Sequence, residues 1–290
     1  MATETDIFTS LAVLAPLSAG CIGVMAWRGW LRPDALQRAP RRRLGLGPFD
    51  IVVALAVWAF GLLAAGQTLH ALDVSMIETE GPITTDRDIV LTMLVGQALT
   101  SGVVALYLFG RCATQAGGLQ RIGLIKRRAW LALPQAALAV LLVWPVMALV
   151  TVAAQWIGLQ FGDAPEAVGH TMLKRMLDME GTHLLWAMVS AVVVAPLLEE
   201  VMYRGLLQST LVNMTGHRWR LGMVALTSVA FTTIHLSAVQ WQALPGLFLL
   251  SMALGWLYER TRNLWACICM HALFNAGNVG LAFVMFANDA

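Results

Sequence analysis

Three short segments in the second half of the chain place groups capable of acid–base chemistry in strongly apolar surroundings. In PLLEEVMYRG, Glu199 and Glu200 are adjacent and Arg204 follows Glu200 by four residues; FTTIH carries Phe231 and His235; HALFN carries His271 and Asn275. At about 100° per residue the two glutamates point to neighbouring faces of a helix, whereas Glu200 and Arg204 share one face at the spacing of an intrahelical ion pair. Glu199 is then a carboxylate with no partner on its own helix, and His271 and Asn275 present their polar tips to one point. Amide hydrolysis needs a water activated on one side of the carbonyl and a donor near the developing oxyanion on the other. Glu199 with one histidine can supply the first and His271 with Asn275 the second. A zinc reading would take Glu199, His235 and His271 as ligands, but HExxH spacing is absent. No serine occupies a GxSxG elbow and no aspartyl pair lies in the apolar runs, which puts glutamate-based hydrolysis first. For packing alone, a lone carboxylate, two imidazoles and an amide form a costly set to desolvate.

The elements that must hold these groups are apolar. The 290 residues are 58% hydrophobic and 12% charged, and mean hydropathy is +0.70, which excludes a soluble protein and fits a polytopic one. Runs long enough to span a bilayer occur near 7–30, 51–72, 89–110, 130–159, 184–210, 221–237, 243–258 and 264–287, predicting an all-α bundle of about eight transmembrane helices in a single domain, 1–290. The first run has no basic residue before it and reads as a retained span. At 1.5 Å per residue, Glu199 and His235 each lie about 21 Å from the 213–220 loop, and His271 about 12 Å from the 259–263 loop, so one shared cavity is feasible. Segments 28–50, 111–128, 213–220 and 259–263 hold most of the 19 basic residues, RAPRRR at 38–43 among them, and the alternate segments are acidic. The positive-inside rule then makes the basic loops cytoplasmic and both termini extracytoplasmic, in a multi-pass protein of the inner (cytoplasmic) membrane. Segment 163–183 reads as a short amphipathic helix on the outer interface. Gln67, Gln97, Gln135 and Gln155 read as bridges between helices or as residues approaching an interface; His70, His170, His183 and His217 lie at span ends or in loops, away from the chemistry. Cys21, Cys112, Cys267 and Cys269 read as small hydrophobes. A net charge of +2 without a basic stripe excludes a nucleic-acid partner.

In their order, E-E-x-x-x-R, F-x-x-x-H and H-x-x-x-N resemble the signature of the CPBP family, also called Abi, which comprises CAAX-processing type II prenyl endopeptidases and bacteriocin-processing or immunity proteins. The resemblance covers roughly 190–285, includes LYERTRNLWACICMHALFN, and departs from no position of the three motifs. Residues 1–180 carry no comparable marker and read as family-variable helices, with 184–287 as the catalytic core. The resemblance implies an intramembrane endopeptidase whose cavity opens to the cytosol. Glu199 would activate water with His235, His271 and Asn275 would form the oxyanion hole, and Glu200 and Arg204 would hold the first glutamate in place. It implies a glutamic mechanism without a cofactor, zinc being the minority alternative, and membrane-associated peptide or protein substrates, prenylated ones included. Two rivals stay open: a non-catalytic immunity or scaffold protein of the same fold, and a transporter using the same buried charges.

Overall fold

The computed structural model describes residues 4–286 except 33, 38, 40–44, 75–84, 125–128 and 164–169. Of the charges used to orient the chain, Arg38, Arg41, Arg42, Arg43, Glu78, Glu80, Lys126, Arg127, Arg128 and Glu166 lie outside the described residues. The rest is helical: α1 (Glu4–Trp27), α2 (Pro48–Ala71), α3 (Asp86–Ala113), α4 (Ala129–Gln160), α5 (Thr171–Leu177), α6 (Gly181–Thr215), α7 (Arg220–Ile234), α8 (Leu244–Thr261) and α9 (Leu264–Phe286). Large apolar side chains such as Leu17, Phe60, Leu106 and Leu141 face outward from mid-helix, the arrangement of a bundle whose solvent is lipid.

Among the described residues six helices, α1, α2, α3, α4, α6 and α9, are long and apolar enough to cross a membrane, which supports a multi-pass protein with six candidate spans rather than eight. The run at 221–237 is apolar beyond its helix. In the structure α7 stops after 15 residues at Ile234, about 22 Å of helix against a hydrocarbon core of about 30 Å. The run at 243–258 corresponds to α8, whose apolar character is diluted by Gly246, Ser251 and Gly255 and ends at Glu259 and Arg260. These two helices pack on each other, and α8 also packs on α4, which carries α1 and α9 as well. Among the described residues of the expected amphipathic segment, the helix is α5; residues 164–169 of that segment lie outside the described residues.

The basic connectors gather at one end of the bundle. Arg220 donates to the carbonyls of Leu36 and Ala39, Arg260 to Ala35, Arg111 to Gly45 and Asn213 to Leu46, so the α1–α2 connector is tied to α3, α6, α7 and α8. Beneath it, the fully buried Glu259 accepts from Arg262 at 2.6 Å and from Gln208 at 3.1 Å, and pairs with Arg220 at 3.3 Å. Exposed Trp27, Trp130 and Trp219 ring this end, with Phe161, Trp186 and Trp241 toward the other, as aromatic residues do at the two faces of a bilayer.

Two helices are interrupted by wide π turns: α3 at Ala98–Gly102, and α6 twice, at Ser190–Val194 and Val201–Gln208. Such turns add a residue, shift the phase of everything after them and leave carbonyls free for other donors. The turn in α3 is seated on Gly61 of α2, where a Cβ would collide with the Leu99 carbonyl oxygen. Gly61→Ala is therefore expected to destabilise the chain by about 1–3 kcal/mol, read from thermal unfolding in detergent, whereas Gly66→Ala, in open space on the same helix, should be neutral.

Candidate active site

Glu199 and Glu200 end the short regular stretch Ala195–Glu200 between the two wide turns of α6. Pro196, with no N–H to give back to the preceding turn, lies two residues past the first of them. The wide turns fix which way the two carboxylates point. Glu200 turns inward, is fully buried, and pairs with Arg204 at 3.3 Å, as the four-residue spacing predicted. Arg204, equally buried, donates through Nη2 to the carbonyl and hydroxyl oxygens of Ser251, both at 3.0 Å, pinning α6 to α8. Its own carbonyl, in the wide turn, accepts the Ser209 hydroxyl at 2.7 Å.

The other Glu200 oxygen meets His271 of α9, with Nδ1 to Oε1 at 3.0 Å. Across the ring, Nε2 lies 3.9 Å from Glu199 Oε2. One imidazole is thus flanked by both glutamates, and Glu200, expected to support Glu199, grips His271 directly. Glu199 keeps 21% of its side-chain exposure while Glu200 and Arg204 keep none, so the first carboxylate is the accessible one.

His235 was expected within a span. It lies just past the end of α7, where the chain turns back through hydrogen bonds from Ala238 and Val239 to its carbonyl. Its Nδ1 is 2.7 Å from the Phe231 carbonyl. A carbonyl only accepts, so Nδ1 carries the proton and a neutral His235 offers a lone pair at Nε2. The same logic applied to His271, whose Nδ1 faces a carboxylate paired with Arg204, puts a proton on Nδ1; its Nε2 can donate only when the ring carries both protons. Phe231 joins these parts, its ring centroid 4.6 Å from that of His235 and 5.9 Å from that of His271, with Tyr203 edge-on at 5.0 Å and the Arg204 guanidinium 5.4 Å above. Asn275, one turn beyond His271, donates from Nδ2 to the Ala191 carbonyl at 2.8 Å, inside the first wide turn of α6. Among the described residues no three His, Cys, Asp or Glu side chains converge to hold a metal ion, so the Glu199, His235 and His271 set does not fit the zinc reading.

Two neighbours take on a place beside the site: Gln97, which does bridge two helices as its sequence position suggests, and His170, read only as a loop residue. Gln97 of α3 accepts the Ser190 hydroxyl at 2.9 Å, beside the carbonyl that holds Asn275. His170 pairs in a short antiparallel bridge with Val239, and the Thr171 N–H donates to Ala238, which fastens α5 onto the turn after His235. A histidine just before TMLKRML has an N-cap position, but nothing in the sequence signals its nearness to His235. His170 Nδ1 accepts the Met172 N–H and caps α5. Burial, and secondarily repulsion from His235 whenever that ring is also protonated, hold His170 below its ordinary value of 6.5. A histidine that resists protonation when folded binds fewer protons than in the unfolded chain, so docking is fully stable above pH 6.5 and weakens as pH falls below it; protonation of Nδ1 would also remove the cap. Amide exchange across 171–177, corrected for intrinsic rates, is expected to quicken at pH 5.5 relative to pH 7.5 and to lose this dependence in His170→Asn, which keeps a capping side chain.

Residues 181–277 match the family described as Type II CAAX prenyl endopeptidase Rce1-like. No curated protein and no solved structure matches the chain.

Proposed function

Because residues 181–277 constitute a CPBP/Rce1-like CAAX-protease family domain, we propose that this chain is an intramembrane endopeptidase that cuts a membrane-associated or lipidated polypeptide with a water activated by Glu199. The observation that carries this reading is the row Arg204–Glu200–His271–Glu199, which runs from full burial to an accessible carboxylate. Glu199 takes a proton from water as the oxygen attacks the scissile carbonyl, with the Nε2 lone pair of His235 orienting that water. His271, when its ring carries a proton on Nε2 as well as Nδ1, donates Nε2–H to the oxyanion, and Asn275 gives the Nδ2–H not used by Ala191. On collapse of the tetrahedral intermediate the C–N bond breaks and the proton held by Glu199 passes to the leaving amine, which restores the carboxylate. Arg204 keeps Glu200 ionised as an acceptor, and Glu200 keeps His271 turned with Nε2 toward the substrate.

The basic connectors support a reading in which their end of the bundle faces the cytoplasm and both termini lie on the opposite side of the membrane. The test is hydrolysis by the full chain in liposomes, against quenched membrane peptides and CAAX peptides with and without a prenyl group. Cleavage that persists after chelation is expected. If no peptide is cut and solute flux depends on Glu199 instead, the chain is a transporter; loss of cleavage on chelation, restored by zinc, would sink the metal-free mechanism.

A further inference from the structure

The oxyanion donor Asn275 is held by a carbonyl whose position depends on a helix outside the matched domain. Many helical hydroxyls among the described residues bond back to the carbonyl four residues earlier, among them Thr210 to Leu206, Thr227 to Met223, Ser228 to Val224 and Thr232 to Ser228. Ser190 does not. It is fully buried, the carbonyl four residues before it accepts the Ser190 N–H, and its hydroxyl reaches across to Gln97 of α3. Ser190 opens the wide turn Ser190–Val194, and the next residue, Ala191, supplies the carbonyl that receives Asn275 Nδ2. Gln97 immediately precedes the wide turn of α3, itself seated on Gly61 of α2. A continuous polar and backbone path therefore runs from α2 through Gln97, Ser190 and Ala191 to the Asn275 amide.

We infer that Gln97 is a positioning residue for Asn275, acting through Ser190 and the wide turn that Ser190 begins. This rests on the hydrolytic reading for its kinetic effect but not for its geometry. Asn275 has two Nδ2 hydrogens; one is committed to Ala191, and that bond sets where the other points. Loss of the Gln97 acceptor frees the Ser190 hydroxyl to fall back on its own helix, which lets the wide turn relax and the Ala191 carbonyl move. Displacements of about an ångström at an oriented group cost up to about 100-fold in rate, so a partial displacement here is expected to cost roughly 10-fold in kcat with KM unchanged.

The test uses the full chain in nanodiscs and two readouts. In protein labelled at asparagine nitrogen, the side-chain amide signal of Asn275, identified by its loss in Asn275→Asp, is expected to shift in Gln97→Leu and in Ser190→Ala. Gln97→Glu, which keeps an acceptor oxygen at the same reach, should retain the wild-type signal. On the best-cut peptide, Gln97→Leu should lower kcat about 10-fold in the wild-type background and leave it unchanged in Asn275→Ala. An Asn275 signal that stays put in folded Gln97→Leu and Ser190→Ala, or equal kcat losses in both backgrounds, overturns the assignment. Should Gln97→Leu fail to fold, the milder Ser190→Ala decides alone. If the wild type cuts no peptide, the hydrolytic reading falls while the amide signal still decides the coupling.

Discussion

Glu199→Gln is expected to lower peptide hydrolysis by about 10²- to 10⁴-fold while leaving thermal unfolding unchanged. The substitution keeps size and hydrogen-bonding reach but removes the only atoms in the row that can take a proton from water and return it to the leaving amine. Stability should not move, because Glu199 is the accessible carboxylate and touches the rest of the row only at 3.9 Å from His271. Glu199→Asp should recover part of the rate, since it restores the base at a shorter reach. Wild-type turnover in Glu199→Gln would remove Glu199 from the chemistry and overturn its assignment as the base.

Glu200→Ala is expected to cost both folding and function, and the two losses can be separated. Removing the carboxylate leaves Arg204 charged and fully buried with Ser251 as its remaining hydrogen-bond partner, a type of change that destabilises by about 3–5 kcal/mol. The double variant Glu200→Leu with Arg204→Met fills the same space without charge, and replacements of that kind are often neutral for stability. Unfolding of the double variant should therefore return close to wild type. Hydrolysis should stay lost, because His271 no longer has an acceptor at Nδ1 to fix its tautomer and aim. Recovery of activity together with stability would reduce Glu200 and Arg204 to a structural pair.

The candidate site residues were legible because each is polar within an apolar run, and a spacing of four predicted the Glu200–Arg204 pair and the shared face of His271 and Asn275. The gripping of His271 by Glu200 was not legible, since it joins residues 71 positions apart and turns on two wide turns that leave no mark on hydrophobic periodicity. Hydropathy also over-extended the bundle: Leu236 continues the apolar run at 221–237, yet the chain has already turned at His235, so a span was counted where a 15-residue helix and a turn exist. Gln97 and His170 read as ordinary because a glutamine in a span or a histidine in a loop acquires meaning only from what another helix brings to it.

The row of charges beside the wide turns also bears on how the site behaves in an energised membrane. With His271 doubly protonated, its cation and that of Arg204 balance the anions of Glu199 and Glu200, and the proposed cycle passes a proton from water to carboxylate to amine within the site. A transmembrane potential exerts about 2.3 kcal/mol per elementary charge per 100 mV on any net charge carried across it. A neutral row that only relays a proton locally gives that voltage almost nothing to grip, so turnover would proceed alike in polarised and depolarised membranes.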